Sequence, residues 1–208
     1  MARDGRLWDA LVRSLGRLAQ GYALSVLIGV PLGIAMGRMK AVRGMLRPLV
    51  VGLQALPSIC WLPLALLWFG LTELSIIFVV VMGSVLAIAI AVEDGIMSVD
   101  PLLLRVSSTY GIRGARLHAG VLLPAALPGI VTGRKLGWSF AWRALMAGEL
   151  LYVSGGLGQL LTMGRELMEI PQVMAVMVCI IAVGTFIDRV LFQTVELRVR
   201  RRWGLAPG

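Results

Sequence analysis

Apolar runs without a charge dominate the pattern: Leu18 to Gly37, Pro48 to Thr72, Leu74 to Val92, and Ile170 to Ile187, which stops at Asp188. A helix rising 1.5 Å per residue needs about 20 such residues to cross a hydrocarbon layer of roughly 30 Å. A fifth region, Leu122 to Gly164, is apolar but broken by Arg134, Lys135, Arg143 and Glu149, and reads as one span with a functional interruption. The pattern predicts an all-α, polytopic transmembrane helix bundle of about five spans in a single domain. The spans fall near residues 18–38, 48–71, 74–96, 125–153 and 170–193.

Ahead of the first span, Leu7, Leu11, Leu15 and Leu18 recur at helical spacing, with Arg6, Arg13 and Arg17 on another face. Residues 1–17 therefore predict an amphipathic helix leading into the membrane. No apolar h-region of a cleavable signal peptide is evident there. Gly29, Gly33 and Gly37 form a stripe that lets helix backbones approach closely, within the chain or across a dimer. Pro31, Pro57 and Pro63 fall inside apolar runs, where freed carbonyls need cover from other helices or a wet cavity, as in a transporter-like bundle.

Composition agrees: 58% of the 208 residues are hydrophobic and 15% charged, with a mean hydropathy of +0.87. The net charge of +9 would raise a nucleic-acid role in a soluble protein, but here it is segregated, which points to the bilayer instead. Arg38, Lys40, Arg43 and Arg47 follow the first span; Arg105, Arg113, Arg116, Arg134 and Lys135 follow the third; Arg198, Arg200, Arg201 and Arg202 close the chain. The positive-inside rule puts all three clusters, and the C-terminus, in the cytoplasm. Five spans then leave the four arginines at the start outside, a conflict that either the amphipathic helix or a further span upstream of this sequence would resolve. Cys60 and Cys179 share no metal or redox spacing and read as small core residues.

The connection from Ser98 to Pro124 carries the most information. Asp100 suits an N-cap, Pro101 the first helical position, and Gly111 the left-handed residue that ends a helix. Leu102, Val106 and Tyr110 fall at i, i+4 and i+8 on one side. A second short helix can follow from Arg113, with Arg113, Arg116 and His118 in the cytoplasm, before Pro124 and Pro128 mark the return to the membrane. Periodicity alone would also allow this pair to lie on acidic lipid heads.

This segment resembles the cytoplasmic signature loop of ABC importer permeases, written E-A-A, three residues, G, nine residues, I-x-L-P. Gly111 supplies the glycine, and Val121, Leu122, Leu123 and Pro124 take the I-x-L-P places after nine residues. Arg105, Val106 and Ser107 stand in the E-A-A places, so the family's glutamate has no counterpart. The chain is similar over nearly its whole length to the nitrate, sulfonate and taurine branch, through Leu56-Pro57, Trp61 to Pro63, Leu67 to Gly70, Leu122 to Gly129, Gly148-Glu149 and Ser154 to Gly158. Members commonly have six spans, so the resemblance favours a first span beyond this sequence.

The resemblance implies the type I ABC importer permease fold and an inner-membrane transport subunit, not an enzyme. Its partners would be a second permease copy, making a homodimer, two cytoplasmic ABC ATPase subunits and an external solute-binding protein. No GxxxxGK[ST] phosphate loop occurs here, so ATP and Mg would sit on the ATPase, and neither a metal nor another cofactor is expected on this chain. Asp100, Leu102, Arg105, Val106, Tyr110, Gly111, Arg113, Arg116, Leu123 and Pro124 would form the ATPase-coupling loop. Leu102 and Tyr110 would pack in its groove, Arg113 and Arg116 would pair with acids beside it, and Gly111 would be the pivot.

For the solute, Arg143 is the sharpest residue. With the span entering near Gly133 and leaving near Val153, it sits about 15 Å from either surface. A charge there must face a watery interior or a partner such as Glu149 or Asp188. Its guanidinium fork suits a small anion such as nitrate, a sulfonate, taurine or bicarbonate. Trp138, Ser139 and Trp142 share the span and are candidates for the path, the tryptophans alternatively for packing. Glu149 and the Ser154 to Gly158 turn are expected near the outer face, where a binding protein would dock. Rival readings are a secondary transporter or channel acting without an ATPase, and a permease for a vitamin-like or aromatic solute. An intramembrane enzyme would have Ser84 and Ser139 available as nucleophiles but is disfavoured by the lack of a base within reach: the one histidine, His118, falls in the loop.

Overall fold

Helix α1 (Arg6–Arg38) joins the amphipathic start of the chain and the first span into one rod of 33 residues, about 50 Å long. It runs through Pro31 and stops only where Met39 turns extended. The computed structural model describes residues 5–151, 155–194, 196 and 199. The run from Pro48 to Thr72, expected as one span, is instead sharply bent: α2 (Lys40–Gln54) meets a short turn at Ser58–Trp61 and α3 (Leu62–Phe69) at 97°. Pro57 explains the break, because it donates no N–H and biases Leu56 away from helical backbone.

Helix α4 (Glu73–Met97) follows, then α5 (Pro101–Thr109), the single turn α6 (Ala115–Leu117) and a wide π-type turn at His118–Leu122. Next come α7 (Leu123–Leu151), α8 (Leu157–Glu166) and α9 (Ile170–Ile187), which runs into a second wide turn at Asp188–Gln193. The expected interruption of α7 is absent. Its 29 residues continue through Pro128 and all four charged positions.

Helix α4 is the axis of the bundle, clasped between α1 and α7, and small residues make the clasp. A methyl on Gly33 would come within 2.5 Å of the Ala89 carbonyl oxygen, and one on Gly129 within 2.5 Å of the Gly95 Cα. The glycine stripe of α1, from Gly21 through Gly29 and Gly33 to Gly37, thus packs inside the chain against α4. Ser25 and Ser84 hydrogen-bond across the same seam at 2.7 Å. Around this backbone contact lie Ile88, Val92, Ile96, Leu122, Ala126 and Ile130 toward the 98–122 connection, hereafter the loop end. Leu18, Ile76, Val80, Ala141 and Leu145 fill the far end.

Among the described residues, Arg6–Arg38, Glu73–Met97 and Ile170–Val190 are long and apolar enough to cross a membrane, and the bent α2–α3 pair makes a fourth unit. The charges of α7 keep it out of that set although its length suffices. No strand occurs among the described residues. Cys60, expected in the core, is exposed on the bend, and Cys179 is half-buried. The start of the Ser154 to Gly158 turn, the side chain of His118, and Arg198 and Arg200 to Arg202 lie outside the described residues.

Candidate functional site

The loop end is built from local signals that act as the sequence predicts. The Asp100 carboxylate accepts the Leu102 N–H at 2.7 Å and caps α5, with Pro101 at its first position. Helix α5 rides on the bundle through Leu104 and Ser107 and turns its other side outward. Leu102 is 62% exposed, Tyr110 82%, and Val106 lies between them, so an apolar stripe stands clear of the bundle at its tip. Arg105, Arg113 and Arg116 are exposed around it.

Two glycines, not one, join this helix to the rest. Gly111 has φ +77° and Gly114 φ +61°, a region that L side chains adopt only at a cost. The loop then anchors where Leu122 and Leu123 pack with Val99 and Leu104 against α4, and Pro124 opens the first turn of α7. The I-x-L-P positions are therefore a foot in the core, and α5 is a rigid piece between that foot and α4.

Arg143 lies on the open face of α7. Its neighbour Ala144 packs at Gly83 of α4, which is about 15 Å from the Glu73 end of that helix and about 20 Å from the Met97 end. The guanidinium Nε donates to the Ser139 carbonyl at 3.0 Å, and the group lies 4.6 Å over the Phe140 ring. Neither suggested acid pairs with it: Glu149 is held by Arg17, and Asp188 faces Lys135 at 3.8 Å. Toward the loop end the same face continues into a 520 Å³ cavity between α4 and α7, lined by Asp94, Ser98, Thr132 and Gly133 among others. Ser139 lies one turn from Arg143 on this face. Trp138 and Trp142 do not; they stack at 6.5 Å, and Trp138 meets Tyr22 and Phe192 on the opposite flank.

Two ionic clusters were not legible in the sequence. At the far end Arg17, expected on a polar outer face, is 2% exposed and sits 2.9 Å from both Glu149 and Glu73. Glu149, expected near a docking surface, is fully buried. Its carboxylate also accepts from the Ser14 hydroxyl at 2.7 Å and from the Gly158 N–H at 3.1 Å. A cavity of 590 Å³ opens beside this cluster, lined by Arg6, Asp9, Arg13, Gln159 and Glu169 among others.

At the loop end Glu93 is fully buried, with one oxygen 2.7 Å from Arg43 Nε and from Arg47 Nη1, and Arg47 also reaches Asp94 at 3.2 Å. The signal for this second cluster was an acidic pair closing an apolar run just before the loop. The cations it needs lie far away in sequence, so periodicity could not match them.

The comparisons with known proteins agree with this architecture. The chain is 35% identical to a putative ABC transporter permease of Methanocaldococcus jannaschii, over 89% of this chain and 70% of that one. It is 32% identical to the taurine transport system permease of Escherichia coli, over 94% and 71%. The structure of an inward-facing MetNI methionine ABC transporter superposes with a TM-score of 0.78 at 20% identity, covering 93% of this chain and 96% of that one. Because the family of binding-protein-dependent transport system inner membrane components matches residues 29–201, and the signature spacing falls on a capped, outward-facing helix, the chain belongs to that family of ABC importer permeases.

Proposed function

We propose that this transport subunit forms, with a second copy of itself, the path of a small anionic solute, and that α5 couples the path to ATP hydrolysis on cytoplasmic ABC ATPase subunits. The observation that carries the reading is the shape of the loop end. An apolar stripe formed by Leu102, Val106 and Tyr110 stands in solvent on a capped helix followed by two left-handed glycines. Leucine and tyrosine exposed beyond a bundle are explained by a groove that receives them, the helix-in-groove mode of recognition. Arg105, Arg113 and Arg116 would pair with acids at the rim. ATP and Mg belong to the partner in this reading, and the chain supplies only the lever and the path.

The loop end is then cytoplasmic, with the C-terminus on the same side, and the far end receives an external binding protein beside the 590 Å³ cavity. A mid-membrane guanidinium with no acid partner among the described residues supports an anionic solute. The taurine permease relative points the same way.

The test is co-purification and reconstitution. The tagged chain should bring down an ATPase from its own cells, and the complex in proteoliposomes should take up an anion from a panel of taurine, an alkanesulfonate, nitrate and bicarbonate only with ATP present. Uptake by the chain alone without nucleotide would establish the rival reading of a secondary transporter or channel.

A further inference from the structure

The two ionic clusters sit about 30 Å apart on α4, twenty residues from Glu73 to Glu93, and they are built differently. At the far end the buried Glu149 carboxylate holds a guanidinium, a hydroxyl and a backbone N–H, and so ties α1, α7 and the first turn of α8. Breaking it would strand a buried charge, so it is a fixed part of the bundle. The loop-end cluster is open. Neither oxygen of the Glu93 carboxylate completes a hydrogen bond among the described residues, so the two arginines hold it as ion pairs. Arg43 and Arg47 are 37% and 35% exposed, and Arg47 already stands between two neighbouring carboxylates. Such a tie can exchange partners without taking either arginine out of water.

What it ties is a loosely packed helix. Helix α2 buries only Val50 of its fifteen residues. It is freed at one end by the extended Met39 and at the other by the 97° bend. The bend brings Ser58 against Gly83 and Ala144 at the level of Arg143. The last turn of α4, which carries Glu93, passes through Ser98, Val99 and the cap Asp100 straight into α5. A push on α5 therefore reaches Glu93 within about two helical turns, and the solute level at Gly83 lies about 15 Å further along α4, a distance that the roughly 22 Å of α2 covers.

We infer that Glu93 is a positioning residue for transport: through Arg43 and Arg47 it makes α2 follow α5, so that the bend at residues 55–61 opens and closes the face bearing Arg143. This rests on the reading that α5 docks on an ATPase.

The test uses Cys60, which is exposed on the bend, as its reporter. In the complete complex with Cys179→Ser, the rate of Cys60 alkylation by N-ethylmaleimide is compared without nucleotide and with ATP and vanadate. The parent should show a change of about fivefold or more, the lower range of coupling between distant sites. Glu93→Gln should abolish that change and lower solute moved per ATP by about tenfold while ATP hydrolysis persists. Should Glu93→Gln fail to accumulate, the double change Arg43→Gln with Arg47→Gln should give the same loss of response, with a fall in stability because the buried Glu93 is left without its cations.

Asp94→Asn should keep the Cys60 response, because Glu93 still holds both arginines. A Cys60 response that survives either Glu93→Gln or the arginine pair, or is missing from a parent complex that does couple ATP to uptake, overturns the inference. A parent chain that binds no ATPase overturns the docking reading beneath it and this inference with it.

Discussion

Replacing Arg17 by Gln isolates the energetics of the far-end cluster. Glu149 is fully buried, and Arg17, 2% exposed, is the cation that neutralises it. Removing one partner of a buried pair costs about 3–5 kcal/mol, because the remaining charge stays out of water. Here the Ser14 hydroxyl and the Gly158 N–H still serve the carboxylate, which places the expected loss at the lower end, about 3 kcal/mol. For a chain of this length each kcal/mol moves the midpoint by about 2–4 °C, so a fall of roughly 6–12 °C is expected.

The informative comparison is the double change Arg17→Gln with Glu149→Gln, which removes both charges and leaves a site able to hydrogen-bond. It should recover most of the loss, with a coupling energy of about 0.5–3 kcal/mol between the two positions. Thermal unfolding in detergent, followed by tryptophan fluorescence, measures both. A single variant within about 1 °C of the parent, or a double variant less stable than Arg17→Gln alone, would refute a neutralised buried carboxylate at this site.

Other expectations follow from single positions. Gly33→Val puts a side chain against the Ala89 carbonyl and Val92 of α4; overpacking of about 1–3 kcal/mol should appear as reduced accumulation and a lower midpoint. Gly111→Val forces a β-branched residue to φ +77° at about 1–2 kcal/mol of local strain. It should leave the chain inserted while uptake per ATP hydrolysed falls, and unchanged transport would argue against the lever. Arg143→Gln removes the mid-membrane cation without altering an ion pair, so stability should hold while half-saturation for the anion rises about tenfold or more; uptake at normal affinity would dismiss the anion site. Asp100→Ala deletes the cap on the Leu102 N–H and should cost about 1 kcal/mol, read as faster hydrogen exchange confined to the first turn of α5.

Most of the loop end was readable from residues because its determinants are local. Asp100, Pro101 and Gly111 act within one or two turns, and the stripe of Leu102, Val106 and Tyr110 needs only the helical repeat. Gly114 escaped notice because one glycine sufficed to end the helix, and its backbone torsion is set by the path the chain must take back to α7. The position of Arg143 along its helix needed only a count of residues, and the structure sets the neighbouring Ala144 against Gly83 of α4.

By itself the sequence determined that this is an all-helical membrane protein, which segments are apolar, and where the helix of the loop end begins and ends. These properties follow from residue spacing along one helix and from the cost of burying polar backbone in lipid. Tertiary structure alone decided that α4 is the axis, that the Gly29 to Gly37 stripe meets it rather than another molecule, that Arg17 goes inside to Glu149, and that Glu93 holds α2. Each of these is a contact between residues dozens of positions apart, and a charge or a glycine carries the same local signal whether its partner is water, lipid or another helix.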